Sequence, residues 1–329
     1  MKLREAVDRY IAWQRDHGAK FRSSAETLHT YCRQVGEDRD CDMVNENEIR
    51  CFLAGKGALT RTRAVKYGTL AGFYGFALGR GYVSRSPMPL REAEPHPPEV
   101  APPFIFSHKE LRRLFKAIDS SRRRCPKLDA KTFRTFLLLL YGAGLRSGEA
   151  RRLTMADVDL RSSVLSVNDT KFYKSRLVPV GADLVGVLHQ YAVIRTHRPL
   201  REGSASSFLA CRDGSPLKKA IVRHAFQVAL RTAGIDIEKP GCRAPCLHSL
   251  RHSFATHRLI SWYREGVDVQ RLLPALSTYL GHSGLAATQV YISMTPDLLV
   301  EASRRFERYI EQTSSPDARQ HWKGDISHV

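Results

Sequence analysis

His248-Ser249-Leu250-Arg251-His252-Ser253-Phe254-Ala255-Thr256-His257 carries the strongest pattern in the chain. On a helix, residues three or four apart share a face, so His248 pairs with Arg251 and Leu250 with Phe254. One side of such a helix is anchored in a core, and the other presents an imidazole and a guanidinium together, a combination suited to phosphate. A polar helix with a chance pairing has the same spacing, so the decision falls to the neighbouring motifs.

Downstream stands Leu280-Gly281-His282-Ser283-Gly284-Leu285-Ala286-Ala287-Thr288-Gln289-Val290-Tyr291, a glycine-flanked histidine before a short helical stretch that ends in tyrosine. Upstream stands Ala143-Gly144-Leu145-Arg146-Ser147-Gly148-Glu149. There glycine breaks one helix and the next begins near Ser147, which places Arg146 at a helix N-terminus, a position that favours anions. Between them lies Thr170-Lys171-Phe172-Tyr173-Lys174-Ser175-Arg176, a basic segment in a hairpin turn. A lysine on such a turn can reach a cleft and protonate a leaving oxygen; Lys171 is the first choice and Lys174 the competitor. Taken singly, each motif is also compatible with an ordinary surface residue or a core-edge tyrosine.

The formal net charge is +19 over 329 residues, with basic residues spread along the whole chain. That distribution fits a folded protein that embraces a polyanion better than a disordered basic arm. With 43% hydrophobic residues the chain has enough apolar mass for ordinary cores. No apolar run of membrane-spanning length occurs, and the charged start MKLREAVDRYIAWQRDHG lacks the apolar centre of a signal peptide. The expected location is cytoplasmic, associated with the nucleoid. Seven scattered cysteines do not form a disulfide framework. Cys242, Cys246 and His248 hint at zinc, but a second cysteine pair at finger spacing is missing, so no metal site is expected.

Residues 1–85 read as helical. Val7, Tyr10 and Ile11 form one apolar stripe, and Leu70, Phe73, Tyr74 and Ala77 form another that ends near Gly79 and Gly81. Asn45 is placed to cap a helix holding Ile49, Phe52 and Leu53. Arg61, Arg63 and Lys66 make either a phosphate-contacting face or a solvated one. Residues 86–103, SPMPLREAEPHPPEVAPP, contain seven prolines and read as an extended linker. Beyond it, Ser107 with Glu110 predicts a capping box, and an apolar helix spans Lys131 to Tyr141. Residues 164–167 and 176–180 predict two hairpin strands. Helices are expected to about Ile310, followed by a polar, mobile tail at residues 312–329.

In this order the four motifs resemble the tyrosine recombinase family, also called phage integrases. That family carries an arginine in G-L-R-x-x-E, a lysine in a β-turn, H-x-L-R-H, L-G-H and then tyrosine. The positions that match are Arg146, Lys171, His248 with Arg251, His282 and Tyr291. The resemblance spans roughly residues 104–310 and implies a mainly α fold. A helical core-binding domain (1–85) and the linker precede a catalytic domain (104–311) that is mostly helical with a small antiparallel sheet. It implies a site-specific recombinase acting on double-stranded DNA through a 3′-phosphotyrosine, for integration or excision of a mobile element. It also implies a homotetramer on paired sites, companion recombinases in some systems, and no metal or other cofactor. In that reading Glu149 holds Arg146 or its helix in place. A non-catalytic DNA-binding accessory protein and a type IB-like topoisomerase are the alternatives. One departure is visible: the stretch from Arg258 to Tyr279 is long for the family, which places extra residues in a loop or helix extension near Gln270 to Thr278.

Overall fold

The computed structural model describes residues 1–54, 61–90, 101–120, 127–168 and 175–282, together with Gly284 and Ser303. The chain divides into two compact units, Met1–Val100 and Ala101–Val329. Among the described residues no helix is long and apolar enough to cross a membrane.

Among its described residues the first unit holds four α-helices: α1 (Leu3–Asp16), α2 (Arg22–Val35), α3 (Glu46–Ala54) and α4 (Arg61–Gly79). The two apolar stripes of the sequence meet in one core, where Val7, Tyr10 and Ile11 of α1 join Leu70, Phe73, Tyr74 and Ala77 of α4. Close approach of these helices needs glycine at position 72, because a Cβ there would stand 2.7 Å from the Tyr10 hydroxyl. At the start of α3, Asn45 accepts from the Glu48 N–H at 3.1 Å, while the Glu48 side chain accepts from the Asn45 N–H at 3.0 Å. This reciprocal pair satisfies two helix-end donors. Of the basic residues considered for phosphate contact, Lys66 is turned inward: its Nζ donates to the Phe52 carbonyl at 3.3 Å and lies 4.5 Å from the Phe52 ring centre. That lysine closes the end of α3.

Both ends of the proline-rich stretch pack on protein. Tyr67 donates its hydroxyl to the Pro89 carbonyl at 2.8 Å. Arg243 donates from its backbone N–H to Pro102 and from Nε to Ala101, at 2.9 and 2.7 Å. Residues 91–100 lie outside the described residues.

The second unit contains α5 (His108–Asp119), α6 (Ala130–Gly142), α7 (Ser147–Arg152), α8 (Ala182–Thr196), α9 (Lys219–Thr232), α10 (Leu247–Arg264) and α11 (Val269–Leu280). Ser107 and Glu110 form the predicted capping box on α5, with N–H to oxygen distances of 3.2 and 2.7 Å. The apolar α6 is central, packing against α5, α7, α8 and α10. Its Phe136, Leu137, Leu139 and Leu140 are fully buried in the main core. A small antiparallel sheet has the order β1 (Val158–Asp159), β2 (Val164–Val167), β3 (Arg176–Pro179). The β2–β3 register pairs Leu165 with Val178 and Val167 with Arg176, as a hairpin requires. Two residues are too few to show strand alternation, so β1 has no signature in the sequence.

The long stretch after Arg258 is neither a loop nor a simple extension. α10 continues to Arg264, the chain turns, and α11 starts under an Asp268 cap whose carboxylate accepts from Gln270 and Arg271 at 3.0 and 3.3 Å. Val269, Leu273, Leu276 and Leu280 of α11 then pack on Ala255, Leu259 and Ile260 of α10. The resulting helical hairpin delivers the chain to His282.

Candidate active site

The site is built where the α6–α7 turn meets α10 and the end of α11. Gly144 has φ +61°, and a Cβ there would stand 2.7 Å from Phe254 and 2.9 Å from Leu280. The turn can therefore sit directly on the other two helices only with glycine at this position. Two residues later Arg146 is the N-cap of α7. At six residues α7 is too short for its dipole to matter much, so the guanidinium, rather than the helix end, supplies the preference for anions.

Glu149 is 3% exposed and gathers positive groups around one carboxylate. It accepts from the Arg146 backbone N–H at 3.0 Å and from Arg146 Nη1 at 2.7 Å. Arg176 forks onto both its oxygens at 3.1 and 2.8 Å, and Arg251 Nη1 stands 4.0 Å away. Burial alone would raise the Glu149 pKa. The hydrogen bonds and charges of Arg176 and Arg146 outweigh that and hold it at about 2. One negative charge among three guanidiniums leaves a positive surplus, an environment prepared for an anion.

The same three arginines close the end of α11. Gly281, at φ +65°, donates its N–H to Thr278 at 2.9 Å, and His282 donates its N–H to Ser277 at 3.0 Å. That is the Schellman arrangement, and it leaves the next three carbonyls to be satisfied. Arg176 Nε donates to Tyr279 at 2.9 Å, Arg251 Nη2 to Leu280 at 2.5 Å, and Arg146 Nη2 to Gly281 at 2.8 Å. Arg251 also reaches the Gly144 carbonyl with Nη1 at 2.7 Å, joining the two turns that flank the site.

His248 and His252 follow on α10, with ring centres 4.4 Å apart. Crowding by protein atoms, then the charges of Arg251 and Arg146, push His248 down to about 4. The residue as a whole is exposed. Burial and then His248 and Arg251 push His252 to about 3; burial and then Arg251 and Arg146 push His282 to about 4. All three imidazoles are therefore neutral near pH 7, able to accept a proton or donate a hydrogen bond.

Of the six residues singled out from the sequence, the structure gathers Arg146, His248, Arg251 and His282. Lys171 and Tyr291 lie outside the described residues, as does the tail. In the sequence Arg176 stands as the last residue of the basic turn segment and the first of a strand, with no catalytic or positioning role attached. Its basic character in an otherwise apolar strand start was the available signal, and the sequence has no marker for its contact with Glu149. Among the described residues no three His, Cys, Asp or Glu side chains are placed to hold a metal ion, and Cys242 donates instead to the Lys239 carbonyl at 3.5 Å.

The model of the phage integrase family matches residues 105–297. The chain belongs to the phage integrase family. A putative integrase/recombinase (y4rB) of Sinorhizobium fredii is 34% identical over 93% of this chain and 97% of its own length. The tyrosine recombinase XerC of Chlorobaculum parvum is 34% identical over 82% of this chain and 81% of its own. The fold is that of solved family structures. The Tn1549 transposon integrase in complex with a circular intermediate DNA superposes with a TM-score of 0.67, at 16% identity over 92% of this chain and 99% of that one. A lambda integrase dimer bound to a core site gives a TM-score of 0.62, at 18% identity over 87% and 97%. As a tyrosine recombinase the chain is an enzyme of site-specific DNA strand transfer.

Proposed function

We propose that this tyrosine recombinase cleaves DNA with Tyr291 and serves the integration or excision of a mobile element. The observation that carries the reading is the convergence of Arg146, Arg176 and Arg251 on one carboxylate that cannot balance their charge, with His248 and His282 near enough to feel the charges of Arg146 and Arg251. The phenol oxygen of Tyr291 forms a bond to the scissile phosphorus, and the bond from phosphorus to the 5′ oxygen breaks. The phenol proton passes to neutral His248, and Lys171 protonates the departing 5′ oxygen. Arg146 offers donors to the non-bridging oxygens, where charge collects in the transition state; Arg251 adds its positive charge from the buried position in which its two Nη groups hold the Gly144 and Leu280 carbonyls, and His282 adds a hydrogen bond. Attack by a 5′-hydroxyl of another strand reverses the step without an external energy source, because the phosphotyrosine keeps the energy of the broken diester.

The kinship with an integrase/recombinase of Sinorhizobium fredii and the likeness to a transposon integrase favour a mobile element. Strand exchange between two sites calls for a homotetramer on paired double-stranded DNA, acting at the nucleoid in the cytoplasm. Co-purification on site DNA tests whether companion recombinases join it. Covalently trapped host DNA, once sequenced, yields the site for a nicked suicide substrate. Wild type is expected to form an adduct on it, and Tyr291→Phe to bind the DNA without forming one. An adduct with Tyr291→Phe, or binding without an adduct in both proteins, would overturn the reading.

A further inference from the structure

Arg176 opens β3, directly after the segment that carries Lys171. Its side chain is 10% exposed, and its fork holds both oxygens of Glu149 at 3.1 and 2.8 Å. Nε donates to the Tyr279 carbonyl at 2.9 Å. Gly281 lies so near that a Cβ on it would stand 2.7 Å from Arg176 Nη1 and 2.9 Å from Cζ. One planar group thus bonds the carboxylate that holds Arg146 and packs against the turn that leads to His282.

We propose that Arg176 is a positioning residue for strand transfer. It keeps Glu149 from neutralising Arg146 and fixes Arg146 against the Gly281–His282 turn. The inference rests on the reading of Arg146 and His282 as phosphate ligands. Glu149 Oε1 is shared between Arg146 Nη1 at 2.7 Å and Arg176 Nη1 at 3.1 Å, while Oε2 is taken by Arg176 Nη2 at 2.8 Å and the Arg146 backbone N–H at 3.0 Å. Without Arg176 the carboxylate turns both oxygens to the Arg146 guanidinium, and the positive charge meant for the phosphate is spent inside the protein. Lysine cannot replace it fully, since a single ammonium does not make a fork and reach the Tyr279 carbonyl in the same geometry.

The loss should therefore depend on substrate charge, which a general folding defect does not. The test uses the full chain as wild type, Arg176→Gln and Arg176→Lys. Two suicide substrates carry either an ordinary phosphodiester or an uncharged methylphosphonate at the scissile position. On the diester, Arg176→Gln is expected to lose about 10- to 100-fold in single-turnover adduct formation, the usual effect of removing a supporting partner. DNA affinity should stay within about twofold, and the loss on the methylphosphonate should shrink to about threefold or less. Arg176→Lys should fall between. Equal losses on both substrates, or no loss on the diester, would overturn the proposal. Where circular dichroism shows Arg176→Gln unfolded, the same comparison is made with Arg176→Lys. Failure of the wild type to form any adduct would instead overturn the assignment of Tyr291 and the phosphate ligands.

Discussion

Arg251 donates Nη2 to the carbonyl of Leu280 at 2.5 Å, and with Nη1 reaches Gly144 at 2.7 Å, from a side chain that is 1% exposed. A residue expected to bind phosphate is thus also the clasp between the α6–α7 turn and the end of α11. Arg251→Lys keeps a positive charge but gives up the fork, leaving at least one buried carbonyl without its partner at a cost of about 1–3 kcal/mol. The melting temperature should fall by several degrees. Adduct formation should fall by about 100-fold or more, as for loss of a preorganised donor. Differential scanning calorimetry with a single-turnover assay checks both; an unchanged melting temperature would refute the clasp.

Glu149→Gln removes the charge on which three arginines converge while nearly keeping the shape. An amide nitrogen then faces guanidinium donors, and buried positive charge is left uncompensated. Breaking a buried pair in this way costs about 3–5 kcal/mol, so the urea midpoint should drop markedly. The native carboxylate, held near 2, is depressed from its usual 4.5, so its contribution is present above that ordinary value and fades only as pH falls toward 2. The gap in stability between wild type and Glu149→Gln should therefore narrow in acid. A gap that is constant from pH 7 to pH 3 would contradict the assigned pairing.

Much of this arrangement is legible in the sequence. The pairing of His248 with Arg251 follows from helical spacing, the Ser107–Glu110 box from local capping chemistry, and the β2–β3 hairpin from apolar runs on either side of a basic turn. These are local signals. What stayed hidden depends on contacts between distant residues: Arg176 with Glu149 spans 27 positions, and Arg146 with the Gly281 carbonyl spans 135. Lys66 shows the opposite limit: its charge leaves a phosphate-contacting and a solvated face equally open, and a helical position cannot reveal its contact with the Phe52 carbonyl. The long Arg258–Tyr279 stretch became intelligible only as a helical hairpin with its own apolar seam.

Two glycines should separate stability from catalysis. Both Gly144 and Gly281 have positive φ, where alanine costs about 1–2 kcal/mol in backbone energy alone. At Gly144 the new methyl also meets Phe254 and Leu280, so packing is disturbed and unfolding by urea should come earlier. At Gly281 the methyl meets the Arg176 guanidinium, which must move off Glu149. Gly281→Ala is expected to lose more activity per unit of stability lost than Gly144→Ala. Paired urea titrations and adduct rates give that ratio, and the reverse order would count against the role assigned to the Gly281 turn.

The three histidines predict a distinct acid response. His248, His252 and His282 are lowered from 6.5 to about 4, 3 and 4, so the unfolded chain binds more protons than the folded one between those values and 6.5. Stability should then rise with pH across that window, being fully present above 6.5 and lost as pH falls through the folded values. A scissile phosphate placed beside Arg146 and Arg251 adds negative charge and should move the His248 value upward. That shift suits a group that must take the Tyr291 proton, since an acceptor nearer neutrality holds the proton better. Proton NMR of the imidazole Cε1–H, recorded on free Tyr291→Phe and on its complex with site DNA, measures the difference. His248 titrating at its ordinary value in the free protein, or failing to rise on DNA, would rule out this electrostatic account.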